Sequence, residues 1–187
     1  MRRILVALLC LSFFTLMIGQ DRCNCETIDT IKTTQAYLHF KDSKNVVCKT
    51  YFLVEQFNFN LKSKNFQEAE KQILLAIDLF KKTKCEESIR VSLLKKLDNV
   101  LNHQSKFDES LKVNMSLRAH FEKVRDSTNL VKSILQLAKI YDRMGLKDQK
   151  RSKIKEVRLL IPRLKDDEEK LILWARLAQL TLHEYQD

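Results

Sequence analysis

The feature of this 187-residue sequence that most limits its fold is a set of side chains that returns every 40 or 41 residues. Positions at offsets 0, 3, 7, 10 and 14 within each set share one face of an α-helix. The three sets are Phe66, Ala69, Ile73, Ala76 and Phe80, then Phe107, Ser110, Asn114, Leu117 and Phe121, then Lys147, Lys150, Ile154, Val157 and Ile161. A second series with the same step is Leu53, Leu94, Ile134 and Trp174. A constant step of this length indicates one supersecondary unit used repeatedly.

Turn-forming residues are scarce, since the chain contains only two glycines and one proline. Hairpins and β-sandwiches need more of both residues, so an all-α fold is expected. A hydrophobic content of 44% and a charged content of 31% suit helices with one buried and one solvated face. We predict a capping helix with a cysteine-containing segment over residues 21–45, helix pairs over about 46–84, 86–125 and 128–164, and a final helix over 166–186.

One predicted pair carries the residues of a known repeat pattern. These are Ile134, Leu137-Ala138, Tyr141, Ile154 and Pro162, with a second partial match at Trp174 and Leu177-Ala178. They resemble the tetratricopeptide (TPR) pattern, and the resemblance covers about residues 46–187. It implies antiparallel helix pairs stacked into a right-handed superhelix whose concave side binds other proteins.

The match to the TPR pattern has three departures. The period is 40 or 41 residues rather than about 34. Lys150 stands where a small residue is usual, and Gln56, Phe57 and Asn60 make the first unit a poor match. Repeats of this longer kind are similar to the exported TPR sections of bacterial regulators, but no DNA-binding or kinase region accompanies them here.

The first 20 residues have the order of a secretory signal peptide. Met1-Arg2-Arg3 precedes an uncharged run from Ile4 to Ile18, and Gly19-Gln20 follows it. The run of 15 residues is shorter than the roughly 20 that span a bilayer. We therefore expect cleavage near Gly19, a secreted or periplasmic protein, and no stable membrane span after cleavage.

Four cysteines would remain after loss of the signal: Cys23, Cys25, Cys48 and Cys85. An even number of cysteines in an oxidising compartment indicates disulfides, and the three possible pairings stay open. A four-cysteine zinc site is the alternative, although Cys23-Asn24-Cys25 is tighter than the usual two-residue gap.

Charge and motif content argue against nucleic-acid binding and catalysis. The net charge is +10, but lysines alternate with acidic residues at helical spacing and no aromatic ladder accompanies them, as on a solvated face. Gly19 and Gly145 cannot form a phosphate-binding loop, and the four histidines are scattered. We expect no enzyme activity, cofactor or metal. Asn114-Met115-Ser116 is a glycosylation sequon, but Asn114 falls on the packed helical face.

The TPR resemblance also indicates a peptide-binding groove. The expected lining residues are Lys95, Asn99, Lys132, Gln136, Lys139, Arg143 and Arg176. Lys95 and Asn99 resemble the lysine and asparagine with which some TPR domains hold a peptide carboxylate, although the full set of such residues is incomplete. We predict a protein or peptide partner, with an acidic peptide as the best-matched ligand.

The last predicted helix is apolar almost all round. Between Leu171 and Leu182 the other residues are only Arg176, Gln179 and Thr181. One apolar face would therefore lie bare, and a terminal repeat normally has a polar outer side. We expect docking of a partner or of a second copy in a homodimer, or else a chain that is a shortened relative of a longer array. The residues predicted to dock are Leu173, Trp174 and Leu180.

Two other functions fit parts of the pattern. A secreted, cytokine-like helical bundle would share the signal peptide, disulfides, length and charge, but it needs long helices with long crossover connections. An enzyme would need a cluster of titratable groups in the groove.

Overall fold

A computed structural model describes residues 44–81, 83 and 87–182. Its helices are α1 (Val46–Lys62), α2 (Phe66–Lys81), α3 (Glu87–His103), α4 (Phe107–Lys123), α5 (Ser127–Arg143), α6 (Lys147–Leu160) and α7 (Asp167–Leu182), with a 3₁₀ turn at Ile161–Arg163. This part of the chain contains no strand, so the all-α prediction is confirmed for it. Helices that are consecutive in sequence pack against each other, as in a helical repeat array.

The chain divides into two compact units, Met1–Lys96 and Leu97–Asp187, and the division falls within α3. In the first unit, α1 packs on α2. In the second, α5 packs against α4, α6 and α7, and its side chains join those of α6 and α7 in one apolar core. The predicted signal peptide, nearly all of the predicted capping segment and residues 183–186 lie outside the described residues.

The repeat offsets correctly predict which side chains are buried. In all three sets, the residues at offsets 3, 7, 10 and 14 are buried, whereas those at offset 0 are half-buried or exposed. The buried residues include three polar ones, Ser110, Asn114 and Lys150. The side chain of Asn114 is enclosed between helices, so a glycan at the sequon is incompatible with this packing.

Four of the turns between helices share one backbone conformation. Their central residues, with φ in parentheses, are Lys64 (58°), Ser105 (58°), Arg125 (58°) and Gly145 (73°). In each turn the next N–H donates to the carbonyl five residues earlier: Asn65 to Asn60 (2.8 Å), Lys106 to Leu101 (3.0 Å), Asp126 to Phe121 (3.0 Å) and Leu146 to Tyr141 (2.9 Å). This bond and a left-handed residue are the marks of a Schellman helix end. Only one of the four turns uses the glycine that this conformation favours.

The Arg125→Gly variant is expected to raise the free energy of unfolding by about 0.5–1 kcal/mol. The left-handed conformation costs a residue with a β-carbon about 1–2 kcal/mol, part of which is offset by the greater freedom of glycine in the unfolded chain. Urea unfolding measures the change, and Arg125→Ala, which keeps the β-carbon, is the matched control.

The converse change, Gly145→Ala, should lower stability by about 1 kcal/mol. A β-carbon at this position meets no atom within 4 Å, so backbone strain alone is responsible. An Arg125→Gly protein that is no more stable than Arg125→Ala would contradict this interpretation of the turns.

Candidate functional site

The centre of the candidate site is a buried carboxylate, Asp98, that links three helices. Its Oδ1 accepts hydrogen bonds from Asn102 Nδ2 on the same helix (2.8 Å), and from the Ser110 hydroxyl and Asn114 Nδ2 on α4. Its Oδ2 accepts one from Gln136 Nε2 on α5 (3.0 Å). Asp98 is only 8% exposed, and Ser110 and Asn114 are fully enclosed. The carboxylate therefore joins α3, α4 and α5.

All four donors to Asp98 are neutral groups. Burial raises the pKa of the Asp98 carboxyl above its ordinary value of 3.8, while the hydrogen bonds from Ser110, Asn114, Gln136 and Asn102 act in the opposite direction. Burial disfavours the charged form because the carboxylate loses water, and neutral donors restore only part of that solvation. Helical spacing explains the geometry, since Asp98 and Asn102 are four residues apart, as are Ser110 and Asn114.

Beside Asp98 lies a pocket of about 720 Å³. Its lining residues are Asp98, Asn99, Asn102, His103, Ser105, Phe107, Gln136, Lys139 and Arg143. They come from the second half of α3, the turn after it, the start of α4 and one face of α5. The volume is in the range of ligand sites, but only Phe107 contributes a large apolar side chain. The lining therefore suits a polar or charged ligand.

Two cationic side chains, Lys139 and Arg143, line the pocket from α5, and the cation Arg176 lies on α7 outside the lining. Burial lowers the pKa of the Lys139 ammonium below its ordinary value of 10.5, and the charges of Arg176 and Arg143 lower it further. Among the residues that the structure describes, none of these three cations forms an ion pair. Arg143 Nη1 donates to Asn102 Oδ1 at 3.1 Å, which connects it to the Asp98 cluster.

The structure brings together part of the predicted groove. Asn99, Gln136, Lys139 and Arg143 line the pocket, whereas Arg176 is not among its lining residues. The other two predicted residues behave differently. Lys132 Nζ lies 2.8 Å from Glu169 Oε1, in an ion pair that joins α5 to α7. Lys95 is an exposed residue of the first unit.

Asp98 and Asn102, the two residues that organise the pocket, were not predicted from the sequence. A signal for them was present, because the repeat register already placed the polar residues Ser110 and Asn114 on a packed face. Buried polar side chains need hydrogen-bonding partners. A polar residue on the facing side of α3 was therefore required, and Asp98 meets that requirement.

The predicted docking surface on the last helix needs correction. Leu173 and Leu180 are 0% and 7% exposed and belong to the core, so they cannot form a docking surface. Together with Leu177 they face α5 and α6 at spacings of four and three residues. Trp174, at 40% exposed, lies on the outer side of α7 with Leu171, which is 71% exposed.

Of the four cysteines that are predicted to form disulfides, the structure describes only one. Cys48 is buried in α1, while Cys23, Cys25 and Cys85 lie outside the described residues. The pairing stays a prediction. Within residues 44–81, 83 and 87–182, no group of three or more His, Cys, Asp or Glu side chains is placed to hold a metal ion. In that same part of the chain, no helix has both the length and the apolar character of a membrane span.

In comparisons with known proteins, no protein-family model and no curated protein matches the chain. The likeness to TPR arrays therefore rests on the helical repeat described above.

Proposed function

We propose that this chain is an exported, non-catalytic scaffold that binds an acidic peptide or protein segment in the pocket between α3 and α5. The observation that carries the proposal is the charge of that pocket. Lys139 and Arg143 line it without an acidic partner among the described residues, and neutral amides lie beside them. Secretion and TPR-like superhelical stacking are parts of the proposal that come from the sequence.

The side chains in the pocket are suited to a peptide with carboxylate groups. Lysine and arginine form charge-assisted hydrogen bonds with carboxylates, and arginine can do so with two parallel bonds. The amides of Asn99 and Gln136 offer both donors and acceptors, the two groups that a peptide backbone needs. Gln136 is held in place by its hydrogen bond to Asp98, so this part of the pocket is ordered before a ligand arrives.

The helix lengths favour a repeat scaffold over a cytokine-like bundle. The described helices have 14 to 17 residues, and the four turns with left-handed residues each contain three residues. A four-helix cytokine needs long crossover connections between longer helices. Short helices joined by equal turns are instead typical of stacked helical hairpins.

Charge reversal in the pocket should weaken binding of an acidic ligand. For a fluorescein-labelled oligoglutamate peptide, we expect the double variant Lys139→Glu/Arg143→Glu to bind at least about tenfold more weakly than the original chain, because attraction becomes repulsion. Fluorescence anisotropy at constant ionic strength gives the dissociation constants.

The matched control for this experiment is Lys112→Glu/Lys155→Glu. Both lysines are exposed and lie outside the pocket lining, and the change in net charge is the same. Affinity should change less than about threefold in the control, since rim and distant charges act weakly in salt. Equal losses in the two double variants, or no binding of the peptide by the original chain, would overturn the proposal.

A further inference from the structure

The outer side of α7 carries a row of exposed side chains. Its members follow each other at steps of three and four residues, so they share one face of the helix. We call this row the outer stripe, and its members are Glu168, Leu171, Ala175, Ala178 and Leu182. All five are exposed, Leu182 at 65%. Because four of the five are apolar and the core leucines of α7 lie on the opposite face, the outer stripe is suited to a second packed interface.

The repeat register identifies what contacts the equivalents of Leu182 in earlier units. Steps of 40 residues relate Leu182 to Asp142 on α5 and to Asn102 on α3. Asp142 Oδ1 lies 2.8 Å from Lys150 Nζ on α6. Asn102 Nδ2 donates to the Ser110 hydroxyl on α4 at 2.7 Å. In both units, this position contacts the second helix of its pair.

Ala178 leads to the same conclusion. Its equivalents are Ala138 on α5 and Asp98 on α3. Ala138 is fully buried in the core that α5 shares with α6 and α7. Asp98 accepts hydrogen bonds from Ser110 and Asn114 on α4. The outer stripe is therefore the surface on which a unit of this repeat packs its second helix, and no helix of the described part of the chain covers it.

The existing second helices show what kind of helix fits this surface. In the first pair, Leu61 on α1 is the equivalent of Leu182, and Ala69 on α2 takes the place of Lys150 and Ser110. A leucine at this position thus goes with a small apolar residue on the second helix. Of the three second helices, only α2 has apolar residues at all four buried offsets, namely Ala69, Ile73, Ala76 and Phe80.

Glu168 adds a charge requirement at one end of the outer stripe. It is exposed in the first turn of α7 and forms no ion pair within the described part of the chain. An antiparallel helix would bring its last turn to this end, where a basic residue is favoured both by Glu168 and by the helix dipole. Lys81 holds that place in α2. A second copy of α7 is a poorer match, because the outer stripe contains no cation to meet Glu168.

We propose that the outer stripe of α7 binds an amphipathic helix of a partner protein. The bound helix runs antiparallel to α7, faces it with apolar residues at offsets 3, 7, 10 and 14 as α2 does, and carries a basic residue in its last turn beside Glu168. Such binding removes apolar surface of both helices from water. No member of the outer stripe lines the pocket beside Asp98, so the inference is independent of the proposed function.

The probe is a synthetic 16-residue peptide with the sequence of α2, Phe66–Lys81. Trp174 is the only tryptophan of the chain and lies beside the outer stripe, three residues after Leu171. Titration of the full chain with the peptide should therefore shift the tryptophan emission to shorter wavelength in a saturable way, because water leaves the indole ring. A control peptide with Ile73→Glu and Ala76→Glu should bind at least about tenfold more weakly.

Two double variants of the chain locate the binding surface. Leu171→Glu/Ala178→Glu should weaken binding of the α2 peptide at least about tenfold, because two charges enter an apolar contact. Both residues are exposed, so the variant should fold. Met115→Glu/Leu159→Glu is the matched control, since it changes two exposed apolar residues on α4 and α6 and adds the same charge. Its affinity should change less than about threefold.

A charge exchange tests the direction of the bound helix. Glu168→Lys should weaken binding of the α2 peptide about threefold, and Lys81→Glu in the peptide should restore the affinity. A lack of recovery would overturn the antiparallel arrangement.

The remaining outcomes decide whether a partner helix occupies the outer stripe. The absence of a saturable shift, or equal weakening by the two double variants, would overturn the inference. Light scattering at the concentrations of the titration should show a monomer. A dimer that Leu171→Glu/Ala178→Glu converts to a monomer would show that a second copy covers the outer stripe, and it would overturn a partner protein as the occupant.

Discussion

Replacing Asp98 by leucine is expected to lower the free energy of unfolding by about 3 kcal/mol. The change removes the acceptor of four hydrogen bonds whose donors lie on α3, α4 and α5. Ser110 and Asn114 are buried, so water cannot replace the carboxylate as the acceptor of their hydrogen bonds. Asn102 and Gln136 line the pocket, where water can replace it. The cost is therefore smaller than that of four fully buried unpaired donors. Urea unfolding at neutral pH measures it.

Asp108→Leu is the control for this change, because Asp108 is an exposed aspartate on α4. Its effect should stay below about 1 kcal/mol, the size of a favourable charge in the first turn of a helix. If Asp98→Leu were no more destabilising than Asp108→Leu, the interpretation of Asp98 as the link between three helices would be wrong.

The raised pKa of Asp98 adds a pH dependence with a definite sign. The folded chain holds the carboxyl proton more tightly than the unfolded chain does, since burial raises the folded-state pKa above 3.8. The part of the stability that is linked to this proton is then complete below pH 3.8 and is lost as the pH rises through the folded-state pKa, while the hydrogen bonds that the carboxylate accepts remain. Asp98→Asn removes this titration and keeps one acceptor oxygen. The free energy of unfolding of Asp98→Asn minus that of the original chain should therefore rise as the pH rises from 3.8 through the folded-state pKa. A difference that does not change with pH would contradict a raised pKa for Asp98.

Replacing Asp142 by alanine is expected to cost about 2 kcal/mol. Lys150 is only 3% exposed, and its Nζ lies 2.8 Å from Asp142 Oδ1. Removal of the carboxylate takes away the ion-pair partner of a buried ammonium, which is costly in an interior of low dielectric constant. The side chain of Asp142 is 39% exposed, so the pair is partly solvated and the loss stays below that of a fully buried pair.

Lys150→Met provides the contrast, because it removes the buried charge and keeps much of the side-chain volume. Asp142 then faces water, so the change should lie within about 1 kcal/mol of zero or be stabilising. In the double variant, Asp142→Ala should have little further effect, and thermal unfolding of all four proteins gives the coupling energy. A coupling energy near zero would show that the two residues do not act as a pair.

The sequence pattern predicted the packed faces well because a helix of fixed period carries them. It also contained the polar pairs, although they were not recognised. Asn102 with Ser110 and Asp142 with Lys150 occupy equivalent positions 40 residues apart, each pair separated by eight residues across one turn. In the first repeat the equivalent positions hold Leu61 and Ala69, which are both apolar. Lys150, which departs from the TPR pattern, thus forms an ion pair with Asp142 on the preceding helix.

The remaining features depended on contacts that no local pattern contains. Lys132 and Lys139 lie on the same helix, but only Lys132 meets a carboxylate, Glu169, from a helix 37 residues further on. The orientation of α7 was also not predictable, since a helix that is apolar all round gives no signal for its packed face. Its contact with α5 and α6 decides that Leu173 is buried and Trp174 is not.

The central claim is that the pocket beside Asp98 holds an acidic peptide, and amide hydrogen exchange tests it most directly. Exchange is measured with the original chain alone and with a saturating concentration of the oligoglutamate peptide. Binding should slow exchange in the second half of α3, from Asp98 to His103, and in α5 from Gln136 to Arg143. Slower exchange confined to α2 or α6, or no change at any concentration of the peptide, would contradict the claim.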